Sequence, residues 1–225
     1  MNVSELPEKT QDYLKIVWDL CERTGQAASL GDIAEHMGQK TSTTSEGIKR
    51  LTERGLLDHP KYGGIQLTRQ GRALAMVMVR RHRLIETFLH STLGYSWDEV
   101  HDEADRLEHA VSDMFIARID ALLGHPSRDP HGDPIPDAEG VVETLALRDL
   151  GHVAPGESAV VDRIHDRDPE LLRYLAEYGI RPGVTITMAA APYPGMRTIR
   201  VNDVDVPLAE TSLWAINVLD EKASS

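Results

Sequence analysis

Two stretches with helical periodicity, MVRRHRLIETFLHSTLG and SWDEVHDEADRLEH, constrain this chain more than any other feature. The first carries His82 and Glu86 four residues apart. On the second, His101, Asp105, Glu108 and His109 fall at i, i+4, i+7 and i+8, so a continuous helix presents all four on one face. Two helices that each direct imidazoles and carboxylates from one face are how a helical bundle builds an internal metal site. The competing reading is a solvated acidic face with histidines scattered along it. Concentration weighs against that: residues 81–140 hold five Lys and Arg against 13 Asp and Glu, with six of the ten histidines. Residues 1–80 hold 11 basic against 10 acidic side chains, so the acid gathers where ligands would be needed.

At 225 residues and 41% apolar, the chain suits one large domain or two to three small ones. Its single cysteine, Cys21, excludes an intrachain disulfide and reads as a small buried hydrophobe. The start, MNVSELPEKTQDYLK, is too acidic for a signal peptide, and the longest apolar run, ALAMVMV, falls far short of a membrane span. A cytoplasmic protein without a membrane partner is expected. A net charge of −12 argues against a protein that coats nucleic acid generally, yet leaves room for a local basic surface.

Residues 5–22 read as an amphipathic helix with Tyr13, Ile16, Val17, Leu20 and Cys21 inward and Asp12 at the edge of the stripe. A short helix, 29–37, opens on Ser29-x-x-Asp32. Next comes Lys40 followed by Thr41, Ser42, Thr43, Thr44, Ser45 and Glu46, with Thr43-x-x-Glu46 expected to cap a third helix that buries Ile48 and Leu51 and ends at Gly55. LLDHPKYGGIQLT then gives two strand-like runs around Lys61-Tyr-Gly-Gly64. Helix, helix, hydroxyl-rich helix and hairpin is the order of a winged helix-turn-helix. Free N–H groups at a helix start attract phosphate, and five hydroxyls in a row exceed what capping needs, so this segment is a candidate for double-stranded DNA. Its near-neutral charge makes a homodimer, and help from a ligand, the expected route to tight binding.

Further helices are expected at 70–93, 97–109 and 110–123, with Leu74, Val77, Leu84, Phe88, Val100, Leu107, Val111 and Met114 supplying a packed layer and a dimer seam. A Pro-rich loop, HPSRDPHGDPIP, breaks the pattern. After residue 141 come the β-like runs SAVVDRI, VTITMAA, MRTIRV and LWAINVLD, interrupted by the helix DPELLRYLAEYG, which suggests a small barrel. The expected class is α+β: a winged helix-turn-helix over 1–72, an all-α metal-binding and dimerisation region over 73–140, and a small β-barrel over 150–225.

The combination RRHRLIETFL, VHDEADRLEHAVSD and SRDPHGDPIP resembles the diphtheria-toxin-repressor family of metal-dependent transcriptional regulators, over nearly the whole chain. The resemblance implies an SH3-like C-terminal domain and two metal positions. Its primary site maps to Asp12, Asp105, Glu108 and His109. Its ancillary site maps to His82, Glu86 and His101, completed by Asp168 or Glu170 from the matching region; the family's second ligand in that domain falls on Leu171, which leaves Glu170 as a substitute. Iron-type members carry Met and Cys at the positions of Asp12 and Asp105. Two carboxylates there favour a hard ion, so the manganese-responsive branch, with Mn²⁺ as cofactor, is expected ahead of Fe²⁺, Co²⁺ or Zn²⁺. One two-metal manganese pattern has Glu where Lys15 stands, which argues against a closely spaced pair of ions. Asp129 and Asp133 stand where iron-type members bind an anion, and with Arg83 as the cation there that anion site is not expected to operate.

The function implied is a metal-activated dimeric repressor of metal-homeostasis genes. Ser42 and Glu46 would approach base edges, while Lys40, Thr41, Thr43, Ser45, Arg50 and Lys61 hold the DNA backbone. An iron- or zinc-responsive repressor of the same architecture is the alternative. A metal-dependent hydrolase is a remote one, because no Ser or Cys nucleophile constellation accompanies the ligands and no small organic substrate is implied.

Overall fold

Helix α1 (Glu8–Thr24) starts behind Pro7, follows a 3-10 turn at Val3–Glu5, and stops where Gly25 turns left-handed at φ 65°. The computed structural model describes residues 3–61, 63–144, 147–191 and 193–219. Tyr13, Leu14, Ile16, Val17 and Trp18 form the buried stripe of α1. Helix α2 (Leu30–His36) is capped as its sequence implies, the Ser29 side chain accepting from Asp32 N. Helix α3 (Thr41–Glu53) departs from expectation. It begins at Thr41 behind Lys40, which makes no side-chain cap bond, so the hydroxyl run lies inside the first turns and Thr43 is not the cap. Thr44 is buried and returns its hydroxyl to Lys40 O at 3.3 Å, so that carbonyl, rather than a free N–H, receives the hydroxyl.

Strands β1 (Leu57–Asp58) and β2 (Gln66–Leu67) pair antiparallel as a short wing. Tyr62, at the expected hairpin tip, lies outside the described residues. Helix α4 (Arg69–Leu93) is a single run of 25 residues. Helix α5 (Val100–Leu107) is shorter than expected: Glu108–Ala110 form a turn, so Glu108 and His109 leave its face. Glu99 answers Ser96 N at 2.9 Å in the turn before it. Ser112 caps α6 (Asp113–Leu122), accepting from Phe115 N.

The C-terminal strands are β3 (Leu147–Asp149), β4 (Ser158–Ile164), β5 (Thr185–Met188), β6 (Met196–Val201), β7 (Val204–Ala209) and β8 (Ile216–Leu219), with α7 (Pro169–Glu177) after β4. They form one antiparallel sheet in the order β3-β8-β4-β5-β6-β7, open at its ends among the described residues, and it is the sheet of the small SH3-like barrel domain expected there. β3 and β7 were not expected. β7 is signalled by Asn202-Asp203, whose φ of 49° and 64° are those of a two-residue hairpin turn that registers Val201 against Val204. Of the expected run LWAINVLD, Asp220 lies outside the described residues.

The chain divides into two units. One takes the described residues up to His82 with Glu108–Ala110 and Pro136–Val141; the other takes Arg83–Leu107, Val111–Ile135 and the described residues from Val142 on. In the first, Leu14, Ile33, Ile48, Leu56, Ile65 and Met78 are fully buried. The second holds two apolar clusters. Leu84, Ile85, Leu89, Val100, Ala104, Ile116, Ile119 and Ile135 form the helical one, and the sheet's inner face gathers on Val161, Ile164, Leu172, Ile186, Ile199 and Val218. Met114, Phe115 and Leu122 of α6 remain exposed, with Met114 at 65%. No helix among the described residues is long and apolar enough to cross a membrane.

Candidate metal centres

In the first unit, one turn of α1 meets the turn Glu108–His109. Asp12 Oδ1 lies 3.0 Å from His109 Nε2, and His109 Nδ1 lies 2.9 Å from Gln11 Oε1. Gln11 is 3% exposed, and its own amide donates to Leu6 O at 2.8 Å, which fixes Oε1 toward the ring. The imidazole therefore keeps its Nδ1 proton on Gln11 and turns Nε2 to Asp12, the tautomer in which Nε2 can serve as a ligand. The hydrogen bond to Asp12 raises the His109 pKa above 6.5; burial opposes the shift and the Glu108 charge adds to it. Asp12, Glu108 and His109 each offer a ligand atom within 4.8 Å of the others.

Glu108 is fully buried between Lys15 and His82. Oε1 lies 2.6 Å from Lys15 Nζ and Oε2 lies 2.6 Å from His82 Nδ1, while Lys15 Nζ is 3.2 Å from that same nitrogen. Lys15 is itself only 8% exposed. Periodicity alone points to neither Lys15 nor Gln11 as a polar residue turned inward. Their signal is that both share the buried side of a helix with Asp12.

In the second unit, Glu86, Asp129 and His131 are buried and offer ligand atoms within 4.8 Å of one another. His131 Nε2 donates to Trp97 O at 2.9 Å, and the Trp97 ring stacks on it at 5.3 Å. That leaves Nδ1 as the bare lone pair, buried with no hydrogen-bond partner among the described residues. Asp129 Oδ1 accepts from His131 N and Asp133 N, both at 2.9 Å, whereas among the described residues Oδ2 makes no hydrogen bond, with Arg83 Nε 3.9 Å away. The loop closes this tightly because Gly132 sits at φ 92°, where an added Cβ would stand 2.2 Å from Asp162 O. Burial lifts the Asp129 carboxyl well above the usual carboxylate range, helped by Asp133 and Glu86. An oriented imidazole lone pair beside an oriented carboxylate oxygen, each lacking a donor, is an arrangement that fits a cation.

His101 joins this unit through Nδ1, 3.0 Å from Asp166 Oδ2 and 3.3 Å from Glu86 Oε1. Burial would lower its pKa, but Asp166 and Glu86 outweigh that and hold it well above 6.5. The acid brought to His101 is thus Asp166, not the expected Asp168 or Glu170. Asp168 uses its carboxylate to cap α7, accepting from Glu170 N and Leu171 N, and Glu170 is exposed in the first turn. Asp105 stays on α5 with its carboxylate half exposed, 3.7 Å from His101 Nε2. Asp133 pairs with Arg163 at 3.2 Å, so Arg83 is not the sole guanidinium beside the two loop acids.

Lys40, Thr41, Ser42, Thr43, Ser45, Glu46 and Arg50 are all exposed along the start and outer side of α3, and Lys61 is exposed in the wing.

Three family models match the chain: the iron dependent repressor N-terminal DNA binding domain over residues 5–65, the iron dependent repressor metal binding and dimerisation domain over 68–137, and the FeoA domain over 148–219. The chain is 36% identical to the diphtheria toxin repressor of Corynebacterium diphtheriae, over 96% of this chain and 99% of that one. It is 31% identical to the iron-dependent repressor IdeR of Mycobacterium tuberculosis, over the same shares. Among solved structures, a manganese-dependent transcriptional repressor in complex with manganese superposes with a TM-score of 0.88 at 47% identity, covering 94% of this chain and 99% of that one. The manganese regulator SloR does so at 0.78 and 32%, covering 94% and 98%.

Proposed function

This chain belongs to the iron-dependent repressor family, a family of transcriptional repressors and not of enzymes, and on that premise we propose that it is a manganese-activated repressor of metal-homeostasis genes. It acts on double-stranded operator DNA in the cytoplasm as a homodimer. The observation that carries this reading is the meeting of Asp12 with Glu108 and His109, which ties the first helix of the DNA-binding segment to a turn far along the chain.

A divalent cation held there supplies the positive charge that lets two carboxylates and an imidazole converge. Asp12 would contribute a carboxylate oxygen, His109 its Nε2, and Glu108 an oxygen now engaged by Lys15. Gln11 orients the imidazole throughout. Fixing α1 in this way fixes the segment that bears α3, and in a dimer two such helices must stand about 34 Å apart to enter successive major grooves. In the second unit, Glu86, Asp129 and His131, with His101 and Asp166 alongside, would hold another cation. Both sets are oxygen and imidazole only, which suits Mn²⁺ better than a soft-ligand metal. Asp105, half exposed on α5, stands 3.7 Å from His101 within the second unit. The division into a DNA-binding part at 1–72, a metal and dimer part at 73–140 and an SH3-like part at 150–225 is the working scheme, with the exposed Met114, Phe115 and Leu122 as the dimer seam.

The test selects a duplex from a random pool with Mn²⁺-loaded protein, then titrates binding with Mn²⁺, Fe²⁺, Co²⁺ and Zn²⁺ without oxygen. Mn²⁺ is expected to activate at micromolar levels. Activation by Fe²⁺ or Zn²⁺ alone would assign the protein to the alternative response, and binding indifferent to every metal would end the proposal.

A further inference from the structure

Gly47 sits in the interior of α3, outside the left-handed region, where glycine is among the poorest helix formers. It therefore serves close approach, not an unusual backbone. A Cβ there would stand 2.6 Å from the Tyr13 hydroxyl oxygen and 2.8 Å from Cζ, so any side chain at 47 would collide with the ring. Tyr13 is 2% exposed, and its hydroxyl donates to Gln39 Oε1 at 3.2 Å. Gln39 immediately precedes Lys40, the residue behind which α3 begins. One ring from α1 thus grips α3 at its entry and in its second turn.

The same stretch of α1 faces the candidate metal site. Gln11 and Asp12 engage His109, and Lys15 engages Glu108, so Tyr13 lies between residues committed to that site. Over so short a piece of continuous helix the backbone moves as one body. Any change in how Gln11, Asp12 and Lys15 are held therefore reaches Tyr13 without an intervening hinge.

Resting on the repressor reading above, we propose that the Tyr13–Gly47 contact is the joint through which the metal-holding side of α1 positions α3 for DNA. Tyr13 and Gly47 are positioning residues that touch neither metal nor base. Their contribution is a coupling between two sites, visible in the ratio of operator affinities with and without metal.

The experiment compares wild type, Gly47→Ala and Tyr13→Phe for Mn²⁺ affinity by calorimetry and for affinity to the selected duplex with and without Mn²⁺. In Gly47→Ala the Mn²⁺ affinity should stay within about twofold, while the Mn²⁺-dependent gain in duplex affinity falls at least tenfold. Tyr13→Phe keeps the ring and loses only the Gln39 hydrogen bond, so a smaller loss of gain is expected. An unchanged gain in Gly47→Ala overturns the proposal. Equal weakening with and without Mn²⁺ also overturns it, since the contact would then merely pack the DNA-binding segment. If Gly47→Ala fails to fold, Gln39→Ala stands in beside Tyr13→Phe, and an undiminished gain in both overturns the joint. A wild-type protein with no Mn²⁺-dependent gain removes the repressor reading and this one together, whereas a normal wild-type gain preserved in the variants removes this one alone.

Discussion

The two acid–imidazole clusters use the same side chains and resolve their charge differently. In the first unit Glu108 is buried against Lys15 and His82, so a cation of the protein's own already sits in the site, and Asp12 keeps about a third of its side chain in water. In the second unit Glu86, Asp129 and His131 are buried, and that burial, with the neighbouring carboxylates adding to it, raises the Asp129 pKa. On the reading proposed above, the first would be a site open enough to exchange ions with solvent, on a helix packed against α3. The second is a buried setting of helix and loop, in which, on the same reading, occupancy and folding would be linked.

The sharpest way to break that contrast is Lys15→Met. Removing one partner of a buried ion pair strands Glu108, and the metal-free protein should lose about 3–5 kcal/mol. Calorimetric melting should register most of the loss without Mn²⁺ and a partial recovery with it; equal losses in both conditions would mean Lys15 does not stand in for an ion. Next in size, Asp12→Ala should cut the Mn²⁺-dependent gain in duplex affinity by about 100-fold, near the upper end of usual coupling, and leave Mn²⁺ binding by the second unit measurable. His131→Ala should do the reverse, lowering ion affinity in the second unit by about 10–100-fold; ion counting on the two variants tells the sites apart. A pH scan gives the smallest effect. His101 and His109 have pKa values raised above 6.5 in the folded, metal-free chain, so their stabilisation is complete below pH 6.5 and is lost as pH rises through the raised values. Melting temperature without metal should therefore fall from pH 6 to pH 8, and a rise would contradict the pairing geometry.

How far these clusters could be read in the sequence follows from where their residues lie. His82, Glu86, His101, Glu108 and His109 were visible because helical spacing groups them, and Asp12 because the family resemblance reaches the first helix. The spacing argument overreached at Leu107. It assumed a continuous helix, and the turn that follows sends Glu108 and His109 to a different unit from Asp105. His131 and Asp129 lie in a proline-rich loop whose path has no period to extrapolate. Asp166, two positions before Asp168, is the one that reaches His101, because Asp168, followed by proline, is equally acidic but spends its charge on a helix start. The wing and three helices of the DNA-binding segment are legible from capping and turn residues, whereas Thr43-x-x-Glu46, which reads as a capping box, lies inside α3. In the C-terminal part alternation located four strands, and β3 and β7 escaped notice, β7 although Asn202-Asp203 marks its hairpin.

The route of the polypeptide has a practical corollary. It departs from the first unit at His82, comes back for Glu108–Ala110 and again for Pro136–Val141. No single cut or truncation can release that unit intact: a fragment ending at residue 72 would keep the reading helix and the wing yet forfeit His82, Glu108 and His109. On the repressor reading proposed above, such a fragment would be deaf to the ion, and any affinity it retained for DNA would report the unregulated baseline.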